Sequence, residues 1–159
     1  MNITLHRQRA SGFTLIEMMV AVAILAILAS LAAPAYQGMI AGNRVSAATN
    51  EILELLSIAQ AEARNRQVPV SITITSVTDG QRWSVAPTSD SANVVVSALL
   101  GTDAKVAVTS TFTNLRFQPD GKLGETTTSK AIEIKSTAYS TTTRKIEILG
   151  SGKVILINQ

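Results

Sequence analysis

Residues 12–44 read GFTLIEMMVAVAILAILASLAAPAYQGMIAGNR. Glu17 is the only charged side chain before Arg44, so 26 consecutive uncharged residues lie between them. A bilayer core of about 30 Å is crossed by about 20 apolar residues in helical form. Phe13 to Met39 meets that length. Arg7 and Arg9 precede the span and favour a cytoplasmic N-terminus. The rest of the chain is then expected on the far side, which in a Gram-negative cell is the periplasm.

The helical pattern continues beyond the span. Val45, Ala48, Ile52, Leu55, Leu56, Ala59 and Ala63 recur at spacings of three and four and make one apolar stripe. Arg64 and Arg66 stand where cations suit the C-terminal end of a helix dipole. Pro69 biases the residue before it out of the helical region and marks the end. A continuous helix from Phe13 to Arg66 has 54 residues, roughly 80 Å at the usual rise. No single core of this size buries such an element, so its first half is expected in lipid or against helices of its own kind.

From residue 68 onward the chain is rich in Thr, Ser, Val and Ile in short alternating runs. Val70, Ile72 and Ile74 alternate with Ser71, Thr73 and Thr75, the pattern of a half-buried strand. Asp79-Gly80 is a turn signal leading into Arg82-Trp83-Ser84-Val85. Val106/Val108, Leu115/Phe117, Ile132/Ile134 and Ile146/Ile148 alternate similarly. Pro119-Asp120-Gly121 reads as a turn, and Gly150-Ser151-Gly152 reverses the chain into Lys153–Ile157. Trp83 and Phe117 are expected as core aromatics beneath the helix. Residues 86–104 carry the least pattern and read as a loop or insertion, and the stretch 86–110 suggests no role.

Composition narrows the chemistry. There are 159 residues, enough for about one domain. The chain has no cysteine, which excludes disulfides, thiolate metal sites and Cys nucleophiles. Its only histidine is His6, so the body has no imidazole for acid–base work. The formal charge is +3, but from Ala41 onward 12 cations face 10 acids. Any basic function must therefore come from local clustering. Asp79 and Asp90 lie in loops without partners, and no metal cluster is evident. The reading is of a protein that is not an enzyme, with no catalytic residues, no metal and no cofactor.

Glu17 is the anomaly. A carboxylate within a membrane helix costs ~2.5–3.5 kcal/mol on insertion scales. No Lys, Arg or His lies within helical reach of it inside the span. Cleavage after Gly12 would create an α-amine on Phe13, four residues away. That amine could neutralise a Glu17 carboxylate in the same chain or in a neighbour, and the second case would set the stagger between subunits.

The string Gly12-Phe13-Thr14-Leu15-Ile16-Glu17, with its short basic leader and its Ala/Ile/Leu-rich span, resembles the class III signal of type IV pilins and pseudopilins. The resemblance implies that a prepilin peptidase cuts after Gly12 and N-methylates Phe13, and that Glu17 serves filament assembly. Pro34 falls where many pilins carry a helix-kinking proline, and its ring removes an i→i−4 bond.

The remainder is similar to the GspH/FimT branch of minor pilins. The likeness rests on Ala59-Gln60-Ala61-Glu62-Ala63-Arg64, Arg82-Trp83-Ser84-Val85, Phe117-x-Pro119-x-Gly121 and Arg144-Lys145-Ile146-Glu147-Ile148 with Gly152-Lys153-Val154. In some members of that branch a basic C-terminal region with a Gly-Arg-x-Arg pattern is implicated in DNA binding. Here the stretch is Gly152-Lys153-Val154-Ile155, with one cation and no aromatic to stack a base. Arg144, Lys145 and Lys153 are the candidate DNA contacts, but a plain strand with solvated cations explains them more simply.

Two simpler readings compete. The start resembles an ordinary secretory signal, with small residues from Ala29 to Ala33 for a cut. Against it, Glu17 falls inside the apolar region and the amphipathic helix follows without a break. Gly150-Ser151-Gly152-Lys153 looks like a phosphate loop but lacks the first glycine at proper spacing and a following helix.

The expected fold is α+β, a type IV pilin fold with a long N-terminal transmembrane α-helix packed on an antiparallel β-sheet. Its expected parts are a cleaved leader at 1–12, a transmembrane and filament-core helix at 13–41, and a periplasmic globular domain at 42–159. That domain comprises the amphipathic helix 42–66 and the sheet 68–159. The resemblance implies a minor pilin of a type IV pilus that primes assembly or sits at the tip, with DNA uptake as a further role. The alternative is the H-type minor pseudopilin of a type II secretion system. The implied partners are other pilins or pseudopilins through the N-terminal helix, the prepilin peptidase and the inner membrane.

Overall fold

The computed structural model describes residues 12–78, 80–101, 105–124, 129–139 and 142–158. The leader residues 1–11 and Asp79 of the expected turn lie outside them. The chain divides into two compact units, residues 1–37 and 38–159.

Helix α1 spans Leu15–Arg66 and passes through both units. In the first unit every residue from Gly12 to Tyr36 is exposed. In the second, Ala41, Val45, Thr49, Ile52, Leu55, Leu56, Ala59 and Ala63 are buried. This is the stripe expected from the sequence with Ala41 and Thr49 added, while Ala48 is only partly buried against the core. Thr49 is tolerated there because its hydroxyl donates to the Val45 carbonyl at 2.6 Å, so no buried polar atom is left bare. The helix ends at Gln67, whose positive φ of 56° is the left-handed closing conformation. Its side-chain amide donates to the Arg64 carbonyl at 2.6 Å and satisfies one of the free terminal acceptors.

Among the described residues eight strands follow: β1 Val70–Val77, β2 Gly80–Pro87, β3 Val96–Leu100, β4 Val106–Ser110, β5 Asn114–Phe117, β6 Lys130–Ser136, β7 Thr143–Ile148 and β8 Val154–Asn158. They form two four-stranded sheets, in the orders β3-β2-β1-β5 and β4-β6-β7-β8. All pairings are antiparallel. The β-region is therefore antiparallel as expected, but it is divided in two. Alternation decides which side faces in: in β6, Ile132, Ile134 and Ser136 are buried, while Glu133 and Lys135 are exposed.

The expected loop at 86–104 is corrected. β2 runs to Pro87, and Val96–Leu100 is a strand paired with it. The reason is the edge position of β3. Its apolar residues fall on both faces, with Leu99 exposed and Leu100 buried, so the period-two signal of a half-buried strand is absent. A reversal at Pro87–Asn93 leads into it, with the Asp90 N–H on the Pro87 carbonyl and the Asn93 N–H on the Asp90 carbonyl, both at 3.1 Å.

One core joins the buried helix stripe to both sheets. It includes Ile52, Leu56, Trp83, Phe117, Ile132, Ile134, Ile146 and Ile148, all fully buried. Trp83 meets Phe112 edge to face, with centroids 6.4 Å apart and planes at 73°. Its indole N–H donates to the Gln81 side chain at 3.3 Å. Phe117 closes a bridge to Leu123 around the Pro119-Asp120-Gly121 turn. There the Asp120 carboxylate accepts the Lys122 N–H at 3.0 Å, and the Lys122 ammonium lies at 3.0 Å. These contacts hold the exposed Asp120 carboxyl below the ordinary carboxylate range.

Gly152, at the turn before β8, is buried with φ 82°. A methyl there would collide with the Gly121 carbonyl, and the Gly152 carbonyl already accepts the Gln60 amide at 2.5 Å. Gly152→Ala is expected to cost about 2 kcal/mol, from the left-handed backbone and the forced separation of two turns. Thermal unfolding of the full chain in detergent checks this, and an unchanged midpoint contradicts it.

Candidate functional site

The first candidate is the start of α1. Gly12, Phe13 and Thr14 precede the helix, and Phe13 is 81% exposed. From Leu15 to Met39 the large apolar side chains Leu15, Ile16, Met18, Met19, Val20, Val22, Ile24, Leu25, Ile27, Leu28, Leu31 and Met39 all stand in the open. The helix is long and apolar enough to cross a bilayer, and none of its most apolar stretch is buried. An apolar surface of this extent needs a partner phase, either lipid or other helices.

Glu17 is held in a way that the sequence reading missed. The Thr14 hydroxyl accepts the Glu17 N–H at 3.3 Å, and the Glu17 carboxylate accepts the Thr14 N–H at 3.3 Å and faces its hydroxyl at 3.4 Å. This reciprocal arrangement is a capping box, which satisfies two free donors at the helix start. Its signal, Thr followed three residues later by Glu before an apolar run, was present in the sequence. The carboxylate also stands at the positive end of the helix dipole. Glu17 therefore has local partners before any amine is supplied.

Pro34 lies inside the helical run. Its missing N–H leaves the Ser30 carbonyl without its usual donor. Ser30 itself donates from its hydroxyl to the Ile27 carbonyl at 2.7 Å.

The second candidate is the hairpin β7–β8. Arg144 stands opposite the buried Ile134, in the row that continues to Ile146 and Ile148. Lys145 is on the other face, opposite Glu133. Lys153 is exposed at the turn, at the far end of the hairpin from Arg144. The three candidate cations are thus not brought together. Lys153 instead shares a cleft with Arg64, which stands at the end of the helix. Among the described residues no group of His, Asp and Glu is arranged to hold a metal.

A helix whose first half is wholly exposed and apolar, opening on a Gly-Phe junction and continuing into a β-rich head, defines a pilin-like subunit. The prokaryotic N-terminal methylation motif matches residues 7–33, and the family model of the type II transport protein GspH matches residues 48–152. The chain belongs to this family of type IV pilin-like minor pilins and pseudopilins, which are structural subunits rather than enzymes. A fimbrial protein of Pseudomonas aeruginosa is 30% identical over 124 residues, covering 69% of this chain and 80% of its own length. Fimbrial protein EcpC of Eikenella corrodens is 50% identical over 44 residues, 28% of this chain and 29% of its own. The fold is similar to that of the type IV minor pilin FimU of Pseudomonas aeruginosa. The TM-score is 0.62 at 20% identity, over 72% of this chain and 89% of that one.

Proposed function

We propose that this chain is a minor pilin of a type IV pilus, made as a precursor, trimmed after Gly12 by a prepilin peptidase and methylated on Phe13. Residues 13–41 would anchor it in the inner membrane with residues 42–159 in the periplasm. The chain would then leave the membrane for a filament, where the same apolar surface packs against the helices of other subunits. The supporting observation is the unbroken exposure of the apolar half of α1. The driving force is close packing of helix on helix in place of lipid. The Glu17 carboxylate would turn from its own cap to the Phe13 amine of a neighbour and so set the axial stagger. Pro34 would supply the bend that such packing requires.

A second reading is the H-type pseudopilin of a type II secretion system, favoured by the GspH match over 48–152. Deletion of the gene separates the two: lost twitching or transformation supports the pilus, and lost exoprotein export supports the secretion system. Within the pilus reading, priming of assembly or a tip position is the role proposed. DNA uptake draws no support from Arg144, Lys145 and Lys153, which lie on two faces and two ends of one hairpin.

Replacing Gly12 by leucine is expected to leave an uncut, unmethylated precursor. Mass spectrometry of protein from its native membrane reads this directly. A mature N-terminus at any residue other than Phe13 in the unaltered protein overturns the processing scheme.

A further inference from the structure

Among the described residues β8 is the margin of its sheet, with β7 as its neighbour. The Leu149 N–H donates to the Lys153 carbonyl at 2.9 Å. In an antiparallel ladder, bonded and non-bonded pairs alternate. Pairs 147/155 and 145/157 therefore bond inward to β7, and the backbone groups of Val154 and Leu156 turn outward.

Nothing in this strand discourages pairing. Its sequence, Val154-Ile155-Leu156-Ile157-Asn158, has no charge and no proline, whereas natural sheet edges are usually protected by such devices. Val154 and Leu156 stand opposite the buried Ile148 and Ile146, so they lie on the core face of the sheet. Yet Leu156 is 39% exposed.

Beside this edge runs a cleft of about 440 Å³ between the helix and the turn into β8. Leu53, Ser57 and Gln60 form its helical wall, and Val154 lies on the strand side. Arg64 and Lys153 are both in its lining, and neither makes an ion pair among the described residues.

We propose that the β8 edge is a strand-docking site for one extended segment of another polypeptide. A row of outward N–H and C=O groups is matched by another strand. The apolar margin and the Leu53–Val154 cleft would take alternate apolar side chains. The Arg64 and Lys153 charges would take a carboxylate at the end of the segment beside the turn. Added antiparallel, like every other strand of the sheet, the segment carries that acid near its C-terminal end. The site stands independently of the filament reading, so its failure would leave that reading intact.

The test uses the full chain in detergent and a labelled synthetic peptide that alternates threonine and valine and ends in glutamate. Binding is read by fluorescence anisotropy, and hydrogen exchange is read at the β8 amides. The expected result is saturable binding with exchange at Val154 and Leu156 slowed by about tenfold or more. Leu156→Pro removes an outward N–H, which an edge strand tolerates, and should abolish both signals. Leu156→Lys protects the edge without any backbone demand and should do the same where the proline variant unfolds. The double variant Arg64→Glu, Lys153→Glu should reject the glutamate peptide and accept its lysine-ended counterpart.

Four results would overturn the proposal: no binding; equal binding of a proline-interrupted peptide; β8 protection that rises with protein concentration alone, which would mean pairing of two copies; or protection by an oligonucleotide in place of the peptide.

Discussion

A Glu17→Ala chain is expected to insert into the membrane normally and yet fall about tenfold or more in the sheared filament fraction, a change of ~1.4 kcal/mol or more. Two functions of the carboxylate are lost together. In the single chain it closes the capping box with Thr14. In the proposed filament it would neutralise the Phe13 amine of a neighbour in a dry setting, where removing one member of a pair costs ~3–5 kcal/mol. Thr14→Ala separates these functions. It removes the hydroxyl that accepts the Glu17 N–H, a loss of ~0.5–2 kcal/mol, while the carboxylate remains. Thr14→Ala should therefore reduce incorporation only modestly. Immunoblots of membrane and sheared fractions measure both variants. Wild-type incorporation of Glu17→Ala would refute the pairing, and an equal loss in the two variants would assign the effect to the cap.

Trp83→Ala carries the second large effect, on the stability of the unit 38–159. Trp83 is fully buried, packs edge to face on Phe112 and satisfies its N–H on Gln81. Truncation leaves a void in the core beside Phe112, at a cost of ~3–5 kcal/mol. Total stabilities are ~5–15 kcal/mol, so this is a large share. The unfolding midpoint should drop by roughly 10–20 °C. Trp83→Phe keeps most of the ring volume, loses the bond to Gln81 and should fall well short of that drop. A midpoint for Trp83→Ala within a few degrees of wild type would show that the core does not depend on this ring. Both measurements use thermal circular dichroism of the full chain in one detergent.

The parts that could be read from the residues share a property. The burial stripe from Val45 to Ala63, the strands around Ile72, Trp83, Ile132 and Ile146, and the turns at Gly121 and Gly152 are each written within a few neighbouring positions. The capping box at Thr14 and Glu17 is equally local, and its spacing was there to be read. As a membrane carboxylate Glu17 directs attention to its desolvation cost rather than to its ordinary service to the helix start. The strand Val96–Leu100 escaped for a different reason: an edge strand with apolar residues on both faces has no alternation to detect.

The sequence by itself determined the helix, its apolar first half, the junction at Gly12-Phe13 and the antiparallel character of the rest, because periodicity and turn chemistry act over short stretches of chain. Only the tertiary structure decided that the strands divide into two sheets, that β8 is the margin of its sheet among the described residues, and that Lys153 shares a cleft with Arg64. Those arrangements depend on which distant strands pair and where each sheet stops. That choice is made by the joint burial of Ile52, Leu56, Trp83, Phe117 and the four isoleucines of β6 and β7 in one core, a condition that no single segment encodes.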